Sequence, residues 1–324
     1  MVDVTPPSTP DATPDATLTG TSTVSRNSAS TRELVMSSVP IWVARLAWLL
    51  VAVLGGTALE VAVAERSTAV RWVAAVGCWS AWGVVMAALA IPAVRSLTAA
   101  RLLAPLSLVV SLVVAVTGIA ATDLAQLVLP AVVACAAIFT SAVGRQFVQA
   151  SSYGDEERLP LRFPLAAGSA AIITWALWAP TIVLGPVLLA AQNRVSGAIL
   201  TVIGVVGGVL LTPRWHRFSR RWLVLVPAGL VVHDPVVLAD TVMVRSNQLV
   251  GLRLAPAGTE AADLTGPASG YAIEVQTSET VTTVFAFTPQ EPNGRAIHMT
   301  GFLVSPSRPG EALRSAAARG IPVN

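Results

Sequence analysis

The side chains that could do chemistry are few and scattered. Asp155, Glu156 and Glu157 form a short acidic run between two apolar segments. Neighbouring carboxylates can exchange a proton in general acid–base work. They sit in GRQFVQASSYGDEERLPLR (144–162), a polar connection in which a solvated loop accounts for them equally well. His233-Asp234 has the residue types of a proton relay, but no nucleophile accompanies it; with Pro235 next, it reads as a strand leaving into a turn. His216 and His298 form no metal-spaced pair with it or with each other. Cys78 and Cys135, the two cysteines, lie inside apolar runs and read as small buried residues. A zinc site or a disulfide framework takes more cysteines at closer spacing. There is no Walker loop, no GxGxxG after a strand, no GxSxG and no HExxH. The sequence therefore predicts no catalytic residue, no cofactor, no metal and a non-enzymatic role.

A denser group is basic. Arg214, Arg217, Arg220 and Arg221 follow directly on the apolar run 195–212. Arginines at the end of a span fix its orientation. The same four are candidate contacts for anionic lipid headgroups, at about 1 kcal/mol for each arginine near a membrane surface. All 21 basic residues of the chain are arginine, the usage of a GC-rich bacterial genome. Most of them flank apolar segments, so the net charge of +3 points to topology and not to nucleic acid.

The elements that must position these residues are set by hydrophobicity. The chain has 324 residues, 54% of them hydrophobic and 12% charged. Soluble domains carry about 25% charged residues, so this is the composition of a membrane protein. Residues 1–38, rich in Thr, Ser, Pro and Asp, lack the apolar content to offset chain entropy and are expected to be a disordered tail. The region 39–212 is expected to hold six spans, at about 41–63, 71–92, 102–120, 125–143, 165–190 and 195–212. With the N-terminus inside, the inner segments hold Arg26, Arg32, Arg45, Arg95, Arg101, Arg145, Arg158, Arg162, Arg214, Arg217, Arg220 and Arg221, and the outer loops only Arg66, Arg71 and Arg194. That bias puts both termini in the cytoplasm.

Within the spans, Arg45 and Glu60 lie near opposite ends of the first, within reach of the interfaces. Pro180 and Pro186 kink the fifth. Gly197, Thr201, Gly204 and Gly208 put small residues on one face of the sixth, for packing inside the molecule before dimerisation.

From residue 213 to 324 the composition becomes that of a small cytoplasmic α+β domain. WLVLV (222–226), a Pro-Ala-Gly turn and LVVHD (230–234) read as two paired strands, with TVMV (241–244) a third. YAIEVQTS (271–278) alternates as a half-buried strand and is expected to form a hairpin with TVTTVFAFT (280–288). MTGFLVS (299–305) reads as the last strand and 255–270 as a loop. The end reads as a helix opened by Pro309 and capped by Gly320.

The Trp222 strand with its turn, the stretch from Asp240 to Leu254, the segment near 271–287 and the closing RPGEALRSAAARGI together resemble the bacterial pleckstrin-homology-like domains found beside membrane spans. The whole chain looks like multi-pass membrane proteins of actinobacteria. The resemblance implies a binding or scaffolding module in the bacterial cytoplasmic membrane. Its partners would be membrane lipids and a protein bound by the cytoplasmic domain, and no nucleic acid. The competing readings are a transporter or channel whose path runs near the kinked fifth span, by way of Ser169, Thr174 and Thr181, and a membrane-embedded enzyme.

Overall fold

Six helices are long and apolar enough to cross a membrane: Ser38–Val63, Thr68–Ala90, Val94–Ala115, Ala121–Ile138, Leu165–Ala190 and Arg194–Ser219. They belong to a computed structural model that describes residues 20–286 and 294–324. In chain order the helices are α1 (Gly20–Val63), α2 (Thr68–Ala90), α3 (Val94–Leu103), α4 (Leu106–Ala115), α5 (Ala121–Ile138), α6 (Ser141–Gln149), α7 (Leu165–Ala190), α8 (Arg194–Ser219) and α9 (Pro309–Ala318). The chain is a multi-pass membrane protein with the expected six spans.

Residues 1–19, half of the tail expected to be disordered, lie outside the described residues. Residues 20–37 are helical, within α1 (Gly20–Val63).

The largest boundary shifts fall in the third, fourth and sixth spans. The third span starts at Val94 and not near 102, because α3 is amphipathic: Leu97 and Ala100 are buried while Arg95 and Arg101 dilute the apolar signal. It breaks at Ala104–Pro105, where proline lacks the N–H that would continue the ladder. The fourth ends at Ile138. The sixth runs through Pro213 to Ser219, held there by Trp215, whose ring lies 5.3 Å from that of Trp178 and whose Nε1 donates to Thr174 Oγ1 at 3.4 Å.

Indole and guanidinium donors tie neighbouring spans. Trp48 and Trp82 each donate to the other's carbonyl at 3.0 Å. Arg45 places two donors on the Leu89 carbonyl at the end of α2, so this intramembrane charge caps a helix. Gly197 and Gly204 of α8 and Gly185 of α7 lie where the two backbones nearly touch: a Cβ on Gly185 would stand 2.5 Å from Thr201 N, and one on Gly204 2.9 Å from Ile182 Cα. The small-residue face is thus used inside the molecule.

Outside the bundle, eight strands among the described residues form two four-stranded sheets. The first has the order β1 (Glu157–Pro160), β2 (Trp222–Val226), β3 (Gly229–His233), β4 (Val242–Arg245), all antiparallel. The second has the order β5 (Leu249–Leu254), β7 (Ile273–Val284), β8 (Ala296–Val304), β6 (Ala262–Asp263), antiparallel except for the parallel β6–β8 pair.

Two sequence expectations are corrected here. The expected hairpin over 271–288 is a single strand, β7, because nothing between Gln276 and Val281 supplies a left-handed turn residue; a register shift against β8 takes up the irregularity instead. The loop 144–162 is not merely solvated. It contains α6 and β1, and β1 pairs with β2 across two intervening spans.

The run WLVLV is apolar throughout because its sheet is covered on both sides. Leu223 and Leu225 point into the domain core with Leu230, Val232, Leu252, Ile273, Val275, Phe302 and Ala316. Trp222 and Val224 belong to the core of the membrane bundle, with Val226 and Val231 packed against it. The sheet is therefore a middle layer between the bundle and the second sheet. Pro309 opens α9, and Gly320 ends it at φ 75°, the left-handed conformation glycine adopts without strain.

Candidate functional site

The charged and polar groups converge at the seam between bundle and domain. β2 begins where α8 ends, so Arg221 enters the seam as the last residue before the strand. It is 1% exposed. Its Nε and Nη2 donate to the two carboxylate oxygens of Asp234 at 2.7 and 2.6 Å, and Nη1 donates to the Arg162 carbonyl. Asp234 also accepts from the N–H groups of Val236 and Val237 at 3.1 and 3.2 Å. This is a bidentate, fully hydrogen-bonded buried pair. It ties the end of the last span, the exit of β3 and the segment after β1 at one point.

A second, half-exposed network clamps α9. Arg145 of α6 pairs with Glu157 at 2.6 Å and with Glu311. Ser315 and Arg319 of α9 reach Glu157 at 2.8 and 3.7 Å, and Arg308 donates to Ser141 at 3.0 Å. Burial holds the Arg145 guanidinium below its ordinary value, Glu157 opposes that shift, and Arg308 adds to it. Arg158 pairs with Glu156 at 2.6 Å and lies over the Trp222 ring. Of the acidic run, Glu156 and Glu157 are ion-pair partners, and Asp155 accepts from Arg319 through its backbone carbonyl at 2.9 Å.

The His233-Asp234 relay is not assembled. Asp234 faces Arg221, whereas the His233 ring stacks on Trp222 at 5.1 Å and its Nδ1 meets Thr241 Oγ1 at 3.0 Å. Burial, then Arg220, lower its pKa, with Asp234 opposing. His216 Nδ1 lies 2.7 Å from Thr98 Oγ1, and His298 Nδ1 2.8 Å from Thr282 Oγ1, each in its own region.

The four arginines proposed as lipid contacts divide. Arg214, Arg217 and Arg220 are exposed on the last turns of α8 and at its end. Arg221 does not belong with them, since its guanidinium is buried and committed to Asp234.

Beside the seam lies a cavity of about 880 Å³ between the third span, α5, α6, α7 and the segment 160–165. Leu97, Leu102, Leu108, Ile172 and Trp175 give it apolar walls; Ser141, Ser269 and Ser307 give it hydroxyls. Arg101, Arg162 and Arg221 line it, and no carboxylate does among the described residues. Arg162 donates to the Tyr271 carbonyl, and burial lowers its pKa. Arg101 donates to the Ile138 carbonyl at 3.4 Å and stands over the Phe139 ring at 5.6 Å. Sequence reasoning missed Arg101 by placing it just outside the third span. The signal was there: an arginine four residues before Pro105, where the helix must break. Ser169 lines the same cavity, whereas the hydroxyls of Thr174 and Thr181 donate to backbone carbonyls of α7. The chain matches no family model, no curated protein and no solved structure.

Proposed function

We propose that the chain is a non-enzymatic scaffold of a bacterial cytoplasmic membrane, with both termini in the cytoplasm. The bundle anchors it, and a pleckstrin-homology-like domain binds a protein partner on the surface turned away from the bundle. The observation that carries this reading is the origin of β1. A strand drawn from between the fourth and fifth spans completes the first sheet, and Trp222 and Val224 of that sheet pack into the bundle core. The domain is thereby held at a fixed place on the membrane. The outer face of its second sheet presents Arg253 and Gln276, opposite the core-facing Leu252 and Val275. Two sheets, antiparallel but for the β6–β8 pair, with a closing α9 support the pleckstrin-homology-like resemblance; a strand supplied from outside 213–324 departs from a self-contained domain.

Crosslinking in the native membrane, with the full chain tagged as bait, tests the role. A near-stoichiometric protein partner that is lost with Gln276→Arg or Leu303→Arg on the outer sheet face supports it. A pure, partner-free protein that carries a solute flux into liposomes replaces it with transport. Sidedness has its own test: Ser278→Cys in a Cys78→Ala, Cys135→Ala background should label in intact cells only with a membrane-permeant maleimide. Labelling by an impermeant one reverses the orientation.

A further inference from the structure

The cavity beside the seam combines three properties that a packing defect lacks. Its charge is one-sided, with arginines and no acid on its lining among the described residues. Arg221 is already neutralised by Asp234. Arg101 is not: among the described residues it makes no ion pair, and one long hydrogen bond serves a group with five donors. A guanidinium at membrane depth without a counter-charge is costly. The fold nevertheless makes room for it, since a Cβ on Gly144 would stand 3.0 Å from its Nη2.

The second property is amphipathic shape. Arg101, Arg162, Ser141 and Ser169 supply polar groups, and Leu108 of α4 with Ala171, Ile172 and Trp175 of α7 supply a long apolar wall. The third is access. Phe139, Leu165 and Ile172 line the cavity and are 51%, 58% and 71% exposed, so its mouth opens sideways between spans, where the bilayer lies. A volume of about 880 Å³ falls within the roughly 300–1,000 Å³ of small-molecule sites.

We propose that this cavity holds one anionic phospholipid from the surrounding leaflet, its phosphate on Arg101 and its acyl chain against α4 and α7. Phosphate supplies the acceptors that a guanidinium fork binds in pairs. The chain covers apolar wall that the protein leaves open. The site is separate from the exposed Arg214, Arg217 and Arg220, and the inference stands whether or not the domain binds a protein partner.

The test uses full-length protein in nanodiscs of phosphatidylglycerol and phosphatidylcholine with matched chains, read by native mass spectrometry after release. Phosphatidylglycerol should be retained over phosphatidylcholine by about tenfold or more, the scale of one charged, paired contact. Arg101→Gln should abolish that preference and Arg101→Lys should keep part of it. Gly168→Phe, which grows a ring into the cavity from a position whose Cβ meets only ordinary contact, should remove the retained lipid while leaving the protein folded. The double variant Arg217→Gln, Arg220→Gln should retain lipid as the parent does. Equal retention of the two lipids, or a preference that survives Arg101→Gln, overturns the proposal. So does stabilisation by millimolar inorganic phosphate with no lipid retained, which would assign the site to a free anion. A lipid-free parent protein that leaves the nanodisc as a dimer would give the opening to a second copy instead. Gly168→Phe and Arg101→Lys keep the question decidable if Arg101→Gln fails to fold.

Discussion

The α7–α8 hairpin and the seam are both places where the chain must bring two elements together, and they use opposite means. In the hairpin the contact is nearly bare backbone. Gly185, Gly197 and Gly204 let the helices approach until a Cβ has no room, and Trp178 Nε1 adds one bond to the Gly204 carbonyl at 2.7 Å. Between helices in lipid there is no hydrophobic gain to collect, so close packing has to serve. At the seam the contact is charged. Arg221–Asp234 and the Arg145–Glu157–Glu311 network bind residues far apart in sequence, with cost and gain both electrostatic. The lesson is that close backbone packing joins α7 to α8, whereas directed charge helps join the bundle to the domain.

The comparison can be broken or sharpened by substitution. The largest effect is expected from Asp234→Ala, which strands the Arg221 guanidinium in the interior. Loss of one partner of a buried pair costs about 3–5 kcal/mol, so thermal unfolding in detergent should show the domain collapsing well before the bundle. An unaltered transition would mean that the pair does not hold the seam. Next comes Gly197→Val, which drives a branched side chain into the Leu189 backbone. Overpacking costs about 1–3 kcal/mol, and a cysteine-crosslink ruler between α7 and α8 should report a wider hairpin. Tolerance of valine there would remove the shape argument.

Glu157→Gln is weaker. Its carboxylate is 18% exposed, and the partners Arg145 and Arg319 keep some access to water. A loss of about 1 kcal/mol is expected, read as faster proteolysis or hydrogen exchange in α9. The smallest effect concerns pH. Burial by itself would raise the Glu274 carboxyl, but hydrogen bonds from Arg253, Gln276 and Thr259 outweigh it and hold the pKa below its ordinary 4.5. A depressed carboxylate stabilises fully above its unfolded value and loses that contribution as pH falls through the folded one. Stability should therefore decline below about pH 4.5, and Glu274→Gln should flatten the decline. A profile unchanged by that substitution would show that other groups carry the acid sensitivity.

How much of this could be read from the sequence depended on how local the cause was. Spans announce themselves by length and apolarity, and the Pro-Ala-Gly turn, the β2–β3 pair and the α9 helix by local chemistry. β1 did not, because Glu-Arg-Leu-Pro is too short and too charged to look like a strand until β2 lies beside it. β7 was split by reading Ser278-Glu279 as a turn, when only β5 and β8 decide that the chain runs on. Glu274, polar in an alternating strand, is buried because Arg253 covers it from the neighbouring β5. At the seam, the arginine cluster was legible as a cluster. Which arginine turns inward was not, since that choice belongs to Asp234, thirteen residues further on.

The origin of β1 also sets an order of events. Glu157 leaves the ribosome before either of the last two spans, and its partner Leu225 leaves after both. The first sheet cannot close until α7 and α8 have been made and β2 has followed them out of the ribosome. Until then β1 is an edge without a neighbour, and closing the intervening loop is the slow, entropy-limited step.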